Sequence, residues 1–200
     1  MDIMSFFSID NSIDKGSLFI KIKSKTFSKD LQSDKFSNDL LMKQILNFFE
    51  ENNLKLDDIS KIYVNQGPGN FSGLRSSLAI AKGMSISKNL NLYGYDTFIW
   101  SCVNYFNKKD SICSLLKFRE KYFIKNFGKN LKNISKVREI TVDEIIEKYS
   151  DKFKVIPKNT KKYFDDKILK LKNLTMVDLD HNKLEFLQLN NLLNNNLIKP

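Results

Sequence analysis

A chain of 200 residues suits one domain or two small lobes sharing a core, and 42% apolar content with 16 Phe is ample for a packed interior. No run of about 18 apolar residues is present, which leaves no transmembrane helix; residues 1–7 lack the parts of a signal peptide, so a cytoplasmic location is expected. Net charge is +10, but only Arg75, Arg119 and Arg138 are arginines; the lysine bias is what an AT-rich genome imposes. The lysines read as scattered, so no nucleic-acid face is assigned, and only weak attraction to RNA phosphates is expected.

In chain order, 3–9 reads as a buried strand ending in Asp10-Asn11-Ser12. Turn residues Asp14, Lys15 and Gly16 follow, then an alternating strand over 17–23 that completes a hairpin. Residues 25–35 are polar, loop or edge. Helical spacing covers 37–52, and at ~100° per residue its apolar residues span an arc of roughly 160°, where packing on one sheet needs about 100°. Either the helix is sunk deeply in its own domain or it buries a second surface, built from Leu41, Ile45, Phe48 and Phe49. A strand over 61–65, a glycine loop over 66–70 and a long helix over 71–90 come next, then a strand over 92–95 and a helix over 97–106.

In the second half, 111–127 reads as a hairpin turning near 117–121. Thr141 and Glu144 have capping-box spacing for a helix through Tyr149. Strands are predicted over 153–156 and 175–179 with a helix between them, another helix from Asn182, and a fraying tail over 190–200. Cys102 and Cys113 fit neither a CxxC pair nor a zinc site and read as buried thiols. A single histidine, His181, removes most metal and His-based catalytic schemes. No cofactor, metal site or catalytic residue is assigned.

The informative segment is Gln66-Gly67-Pro68-Gly69-Asn70-Phe71-Ser72-Gly73-Leu74-Arg75. Glycines between a strand and a helix allow close backbone approach, and a helix N-terminus offers N–H groups to an anion. Asp10, Ser12, Gly67, Gly69 and Arg75 are therefore the candidate phosphate or nucleotide contacts. The spacing fits neither a P-loop nor a dinucleotide fingerprint. The helix that follows carries a stripe of mostly small residues, Gly73, Ser76, Ile80, Gly83 and Ser87, which permits close helix approach. Leu74, Leu78, Ala81 and Ser85 form a second, conventional packing stripe. Both stripes internal is the alternative.

The run from Gly67 to Arg75, continued by Ala79-Ile80-Ala81-Lys82-Gly83, resembles the GPGSFTGLR…AKG signature of the TsaB family. Ser8-Ile9-Asp10-Asn11-Ser12 is similar to that family's first strand and D-T-S turn, and Leu56-Asp57-Asp58-Ile59 and Gly94-Tyr95-Asp96-Thr97 fall where it has similar pieces. The resemblance covers about the first half of the chain. It implies an α/β, actin-like (ribonuclease-H-like) ATPase-type fold of two lobes, mixed sheets with flanking helices, divided as 1–98 and a short, divergent 99–200. It also implies a non-catalytic subunit of tRNA threonylcarbamoyladenosine synthesis that binds the catalytic TsaD subunit through its first two long helices. A TsaE-like ATPase and, through the complex, tRNA are the further partners implied; a homodimer is left open, and no membrane is involved. Two departures stand out: Lys117-Phe118-Arg119 replaces an Asp-Ala-Arg turn, and His181 alone provides no metal-binding histidine pair. The competing reading is an actin-like ATPase or small-molecule kinase in which Asp10 helps hold a metal–nucleotide.

Overall fold

The computed structural model describes residues 5–12, 16–31, 39–195 and 197. The expected strand start at 3–4, turn residues Asp14 and Lys15, the 32–35 part of the polar stretch, the helix start at 37–38, and 196 and 198–200 of the tail lie outside the described residues. Contacts divide the chain into two units, Met1–Asp96 with Leu184–Pro200, and Thr97–Lys183. The sequence division at 98 ran the second lobe to the end of the chain; by contacts, the last segment groups with the first unit.

In the first unit, β1 (Ser5–Asp10), β2 (Ser17–Ile22) and β3 (Lys25–Asp30) form an antiparallel meander, followed by α1 (Asp39–Glu51), β4 (Lys61–Asn65), α2 (Phe71–Lys88) and β5 (Asn91–Tyr95). The sheet order is β3-β2-β1-β4-β5, with β4 parallel to both β1 and β5. Part of the stretch read as loop or edge is thus a true edge strand. Every residue of β1 is buried, as a central strand covered on both faces requires. Alternation sends Phe7 and Ile9 into a core with Ile62, Val64 and Leu92, and with Ile45 and Phe48 of α1 and Ala81 of α2. The opposite face carries Phe6 edge-on to Tyr63. It is tied to α6 (Lys183–Leu189) by Tyr63 Oη donating to Gln188 Oε1 at 2.9 Å and by the Lys21–Glu185 pair at 2.8 Å.

The second unit repeats the plan. After α3 (Thr97–Cys102) come β6 (Ser111–Phe118), β7 (Lys121–Gly128), β8 (Arg138–Ile140), α4 (Val142–Tyr149), β9 (Lys154–Pro157), α5 (Asp166–Leu169) and β10 (Leu174–Val177). Its order, β10-β9-β6-β7-β8, is that of the first sheet, element for element. The duplication is invisible as a sequence repeat because each unit keeps only the apolar periodicity. The expected helix over 97–106 ends at Cys102 and passes into a 3-10 turn, Val103–Tyr105. Thr141 caps α4 by accepting from Glu144 N (3.2 Å), but the Glu144 carboxylate goes to Arg138 and Lys148. Lys154 is buried with its Nζ donating to the carbonyls of Tyr149, Ser150 and Lys152 (2.6–2.8 Å), which satisfies acceptors left over at the end of α4. Among the described residues, no helix is long and apolar enough to cross a membrane.

His181 is buried against Trp100, ring centroids 4.7 Å apart, and Trp100 Nε1 donates to Asp180 O at 2.9 Å. Burial lowers its pKa from 6.5 to about 4. The unfolded chain therefore binds the proton first as pH falls through 6.5, and the folded state loses up to about 3 kcal/mol on the way to pH 4. Urea titrations at pH 7 and pH 4 are expected to show this loss, and His181→Phe to remove that part of it. Equal losses in the two proteins would exclude the imidazole as the cause.

Candidate functional site

The carboxyl end of β1 and the start of α2 meet in a knot of internal hydrogen bonds. Asp10 is buried, and its Oδ1 accepts from Ser12 N (3.1 Å), Ser12 Oγ (2.6 Å) and Asn65 Nδ2 (2.9 Å). Burial pushes its carboxyl pKa up, opposed by the bonds from Ser12 and Asn65. Asn65, the last residue of β4, also accepts from Gly67 N at 2.8 Å. Asn70 N donates to Ser12 O at 2.7 Å, while the Asn70 side chain caps α2 through Ser72 N (3.1 Å).

Glycine makes this closure possible. A Cβ on Gly69 would stand 1.9 Å from Ser12 O, and one on Gly73 would stand 2.3 Å from Asn11 O; Gly67 has φ of 102°. The structure thus brings Asp10, Ser12, Gly67 and Gly69 together, and leaves Arg75 apart, exposed and stacked on Phe71 at 5.2 Å. The amides of Ser12, Gly67, Asn70 and Ser72, which a phosphate cradle would use, all donate within the chain. The close approach that glycine permits is made by the chain's own backbone.

The two long helices of this unit touch each other and cover one face of its sheet. Leu41, Ile45, Phe48 and Phe49, expected to present α1 to a partner, are buried in the unit's own core, and that assignment is corrected. The surplus width of the apolar arc comes from Met42 and Leu46, 39% and 57% exposed. On α2, Leu78, Ala81, Met84 and Ser85 turn inward. Of the small stripe, Gly83 and Ser87 are exposed, Gly73, Ser76 and Ile80 half-buried, and a Cβ at Gly83 would meet nothing within 4 Å. Ile80 packs against the core and Gly73 against Asn11, so this stripe is part internal, with Gly83 and Ser87 turned outward. Phe71 and Ile86 on the same helix are 66% and 68% exposed. Met42, Leu46, Phe71 and Ile86 are four of the eight exposed large apolar side chains among the described residues. The signal for Met42 and Leu46 was in the sequence, at the rim of the arc. Phe71 and Ile86 interrupt no pattern and gave none.

Gly69→Ala and Gly73→Ala are expected to lower the thermal midpoint by 5 °C or more (about 2 kcal/mol or above) because backbone must move. Gly83→Ala is expected to raise stability by roughly 0.5–1 kcal/mol, as at an open mid-helix glycine. Thermal melts of the three variants check both signs.

A family model described as TsaD, tRNA N6-adenosine threonylcarbamoyltransferase, matches residues 32–186. Two curated relatives bear the name tRNA threonylcarbamoyladenosine biosynthesis protein TsaB. The one from Buchnera aphidicola subsp. Baizongia pistaciae is 40% identical over 50 residues, 25% of this chain and 23% of its own. The one from Buchnera aphidicola subsp. Schizaphis graminum is 28% identical over 90 residues, 45% of this chain and 43% of its own. The chain thus matches less than half the length of either curated relative. Among solved structures, an uncharacterized Pseudomonas aeruginosa protein with similarity to peptidase YeaZ aligns with a TM-score of 0.72 at 10% identity, over 99% of this chain and 97% of that one. YeaZ from Pseudomonas aeruginosa aligns with a TM-score of 0.68 at 10% identity, over 96% of each chain. At such identity the likeness speaks for the fold, which is actin-like, with the ribonuclease-H-like strand order present twice. With the family model spanning well over half of its length, the chain belongs to the TsaD-like family, as a member of the TsaB/YeaZ type.

Proposed function

We propose that this protein serves tRNA threonylcarbamoyladenosine synthesis as a non-catalytic subunit that docks a TsaD-type catalytic subunit through the outer faces of α1 and α2. The observation that carries the reading is the open outer face of α2, where Gly83 has nothing over it and Phe71 and Ile86 stand in solvent. Met42 and Leu46 are exposed on the touching helix. A small residue at the middle of such a face lets a partner helix approach to within the ~8–10 Å of ordinary helix packing or closer. The names of the curated relatives supply the pathway, and the family model supplies the kind of partner. In this reading the partner performs the transfer, and a TsaE-type ATPase and tRNA join through the complex.

The rival, a nucleotide-processing enzyme with Asp10 at its centre, has less behind it. The Asp10 carboxylate is buried and occupied by donors from Ser12 and Asn65, and the glycine loop closes on the 10–12 turn. That is the environment of a brace, not of a metal ligand open to solvent.

The isolated chain is expected to be inactive in tRNA modification and to restore activity when added to a TsaD-type subunit. Gly83→Trp and Leu46→Asp are each expected to abolish co-purification with that subunit while the thermal midpoint stays within about 3 °C of the parent; normal capture of both variants would sink the docking face. For the rival, Asp10→Asn keeps the accepting oxygen and removes the charge. ATP hydrolysis by the isolated chain that disappears in this variant would favour the enzyme reading.

A further inference from the structure

The positive charge of this protein belongs to one unit. Within Thr97–Lys183 there are 20 Lys and Arg against 11 Asp and Glu, a net charge of +9; the rest of the chain has 13 against 12, a net charge of +1. A genome-wide lysine bias loads both units of one gene alike, so it does not account for this asymmetry. The scattered appearance of the lysines along the sequence conceals a partition that only the division into units exposes.

Part of that charge lies in one short exposed stretch, 158–172, with six Lys against Asp165 and Asp166. Lys158, Lys161, Lys162, Lys167, Lys170 and Lys172 are all exposed. Lys158, Lys161 and Lys162 line a hollow of about 500 Å³ with Asn159, over apolar Phe164 and Leu169 and with Asp166 among its walls. Local structure turns these lysines outward. They stand on the 3-10 turn Lys158–Tyr163, whose Thr160 is buried and donates from its hydroxyl to Pro157 O at 2.8 Å. Phe164 is buried behind the turn. Lys162 lies over the Tyr163 ring at 4.7 Å, and Lys158 makes an exposed pair with Asp178 at 3.5 Å, an interaction too weak to withhold it from a stronger anion. The hollow opens at the carboxyl end of β9, where α/β sheets characteristically place their ligands. In the strand order it occupies the place that the closed glycine loop holds after β4 in the first unit.

We infer that this lysine-rimmed hollow and the basic surface around it bind the phosphodiester backbone of RNA, so that the second unit is a direct RNA contact. The inference deepens the proposed function, which supplies RNA as the polyanion, and depends on it for that identity; the charge partition does not. Lysine ammonium groups neutralise phosphates one by one without reading sequence, so binding is salt-dependent and tolerant of sequence.

The test is fluorescence anisotropy of labelled tRNA with the full chain, without partner, across a salt series. Lys158→Gln/Lys161→Gln/Lys162→Gln is compared with Lys23→Gln/Lys25→Gln/Lys43→Gln, which removes three exposed lysines from the first unit. The first triple is expected to weaken binding at least tenfold and to reduce the slope of log affinity against log salt by about 2, at 0.7–0.9 per lost phosphate contact; the second is expected to leave both within about twofold. Equal effects of the two triples, or none from the first, would overturn the inference. So would an absence of tRNA binding by the parent chain together with sedimentation on phosphatidylserine vesicles, which would assign the surface to a membrane. Capture of the TsaD-type subunit is measured on the same variants. Lost RNA binding with intact capture is the expected result, whereas parent RNA binding without any capture would overturn the docking reading and leave this one standing.

Discussion

No side chain fits between the start of α2 and the turn that follows β1. Gly69 and Gly73 lie so close to the backbone of Ser12 and Asn11 that a single added carbon would collide with a carbonyl oxygen. Asp10 gathers the polar groups enclosed there, and without it the Asn65 amide and the Ser12 donors would be buried with fewer acceptors, at a cost of about 1–3 kcal/mol for each group left unsatisfied. This contact sets the position of α2 on the sheet. It therefore also sets which residues of α2 face inward and which remain on the outside.

A helix held that firmly at its N-terminus is suited to present a surface. On its inner side Ala81, Met84 and Ser85 are buried and Leu78 packs half-buried against the first unit's core. The same loop that resembles a phosphate cradle in sequence thus serves as a mechanical brace. The brace and the open position at Gly83 draw on the same property of glycine, the absence of a side chain, at positions about three to four turns apart.

The two units show how far surfaces diverge on one plan. Both run a three-strand meander, a helix, a strand, a helix and a strand in identical order. After β4 the first unit places a glycine loop folded onto its own chain, and after β9 the second places a lysine turn open to solvent. Core positions in the two are filled by the same kinds of apolar side chain. The differences are concentrated at the strand ends, where packing imposes little and the chemistry of a ligand imposes more.

Much of the fold was legible in the residues themselves. A buried-strand run marked β1, alternation marked β2, 3.6-residue spacing marked α1 and α2, and the glycine signature led to the family before any coordinates. These signals are local, and they survive in sequence because each depends on neighbours within one or two turns. The width of the α1 arc was legible too, yet not which of its residues are buried. Which rim of an arc faces the sheet depends on how the helix rolls against β4 and α2, and only the packed structure assigned Leu41, Ile45, Phe48 and Phe49 to the interior and Met42 and Leu46 to solvent. The duplicated strand order, the return of the last segment to the first unit, and the partition of charge are likewise properties of contacts between distant residues. Sequence determined the elements and the family, because those rest on short-range geometry; tertiary structure alone decided that the glycine loop is a brace, which faces remain exposed and where the charge gathers, because burial and membership of a unit are set by partners far away along the chain.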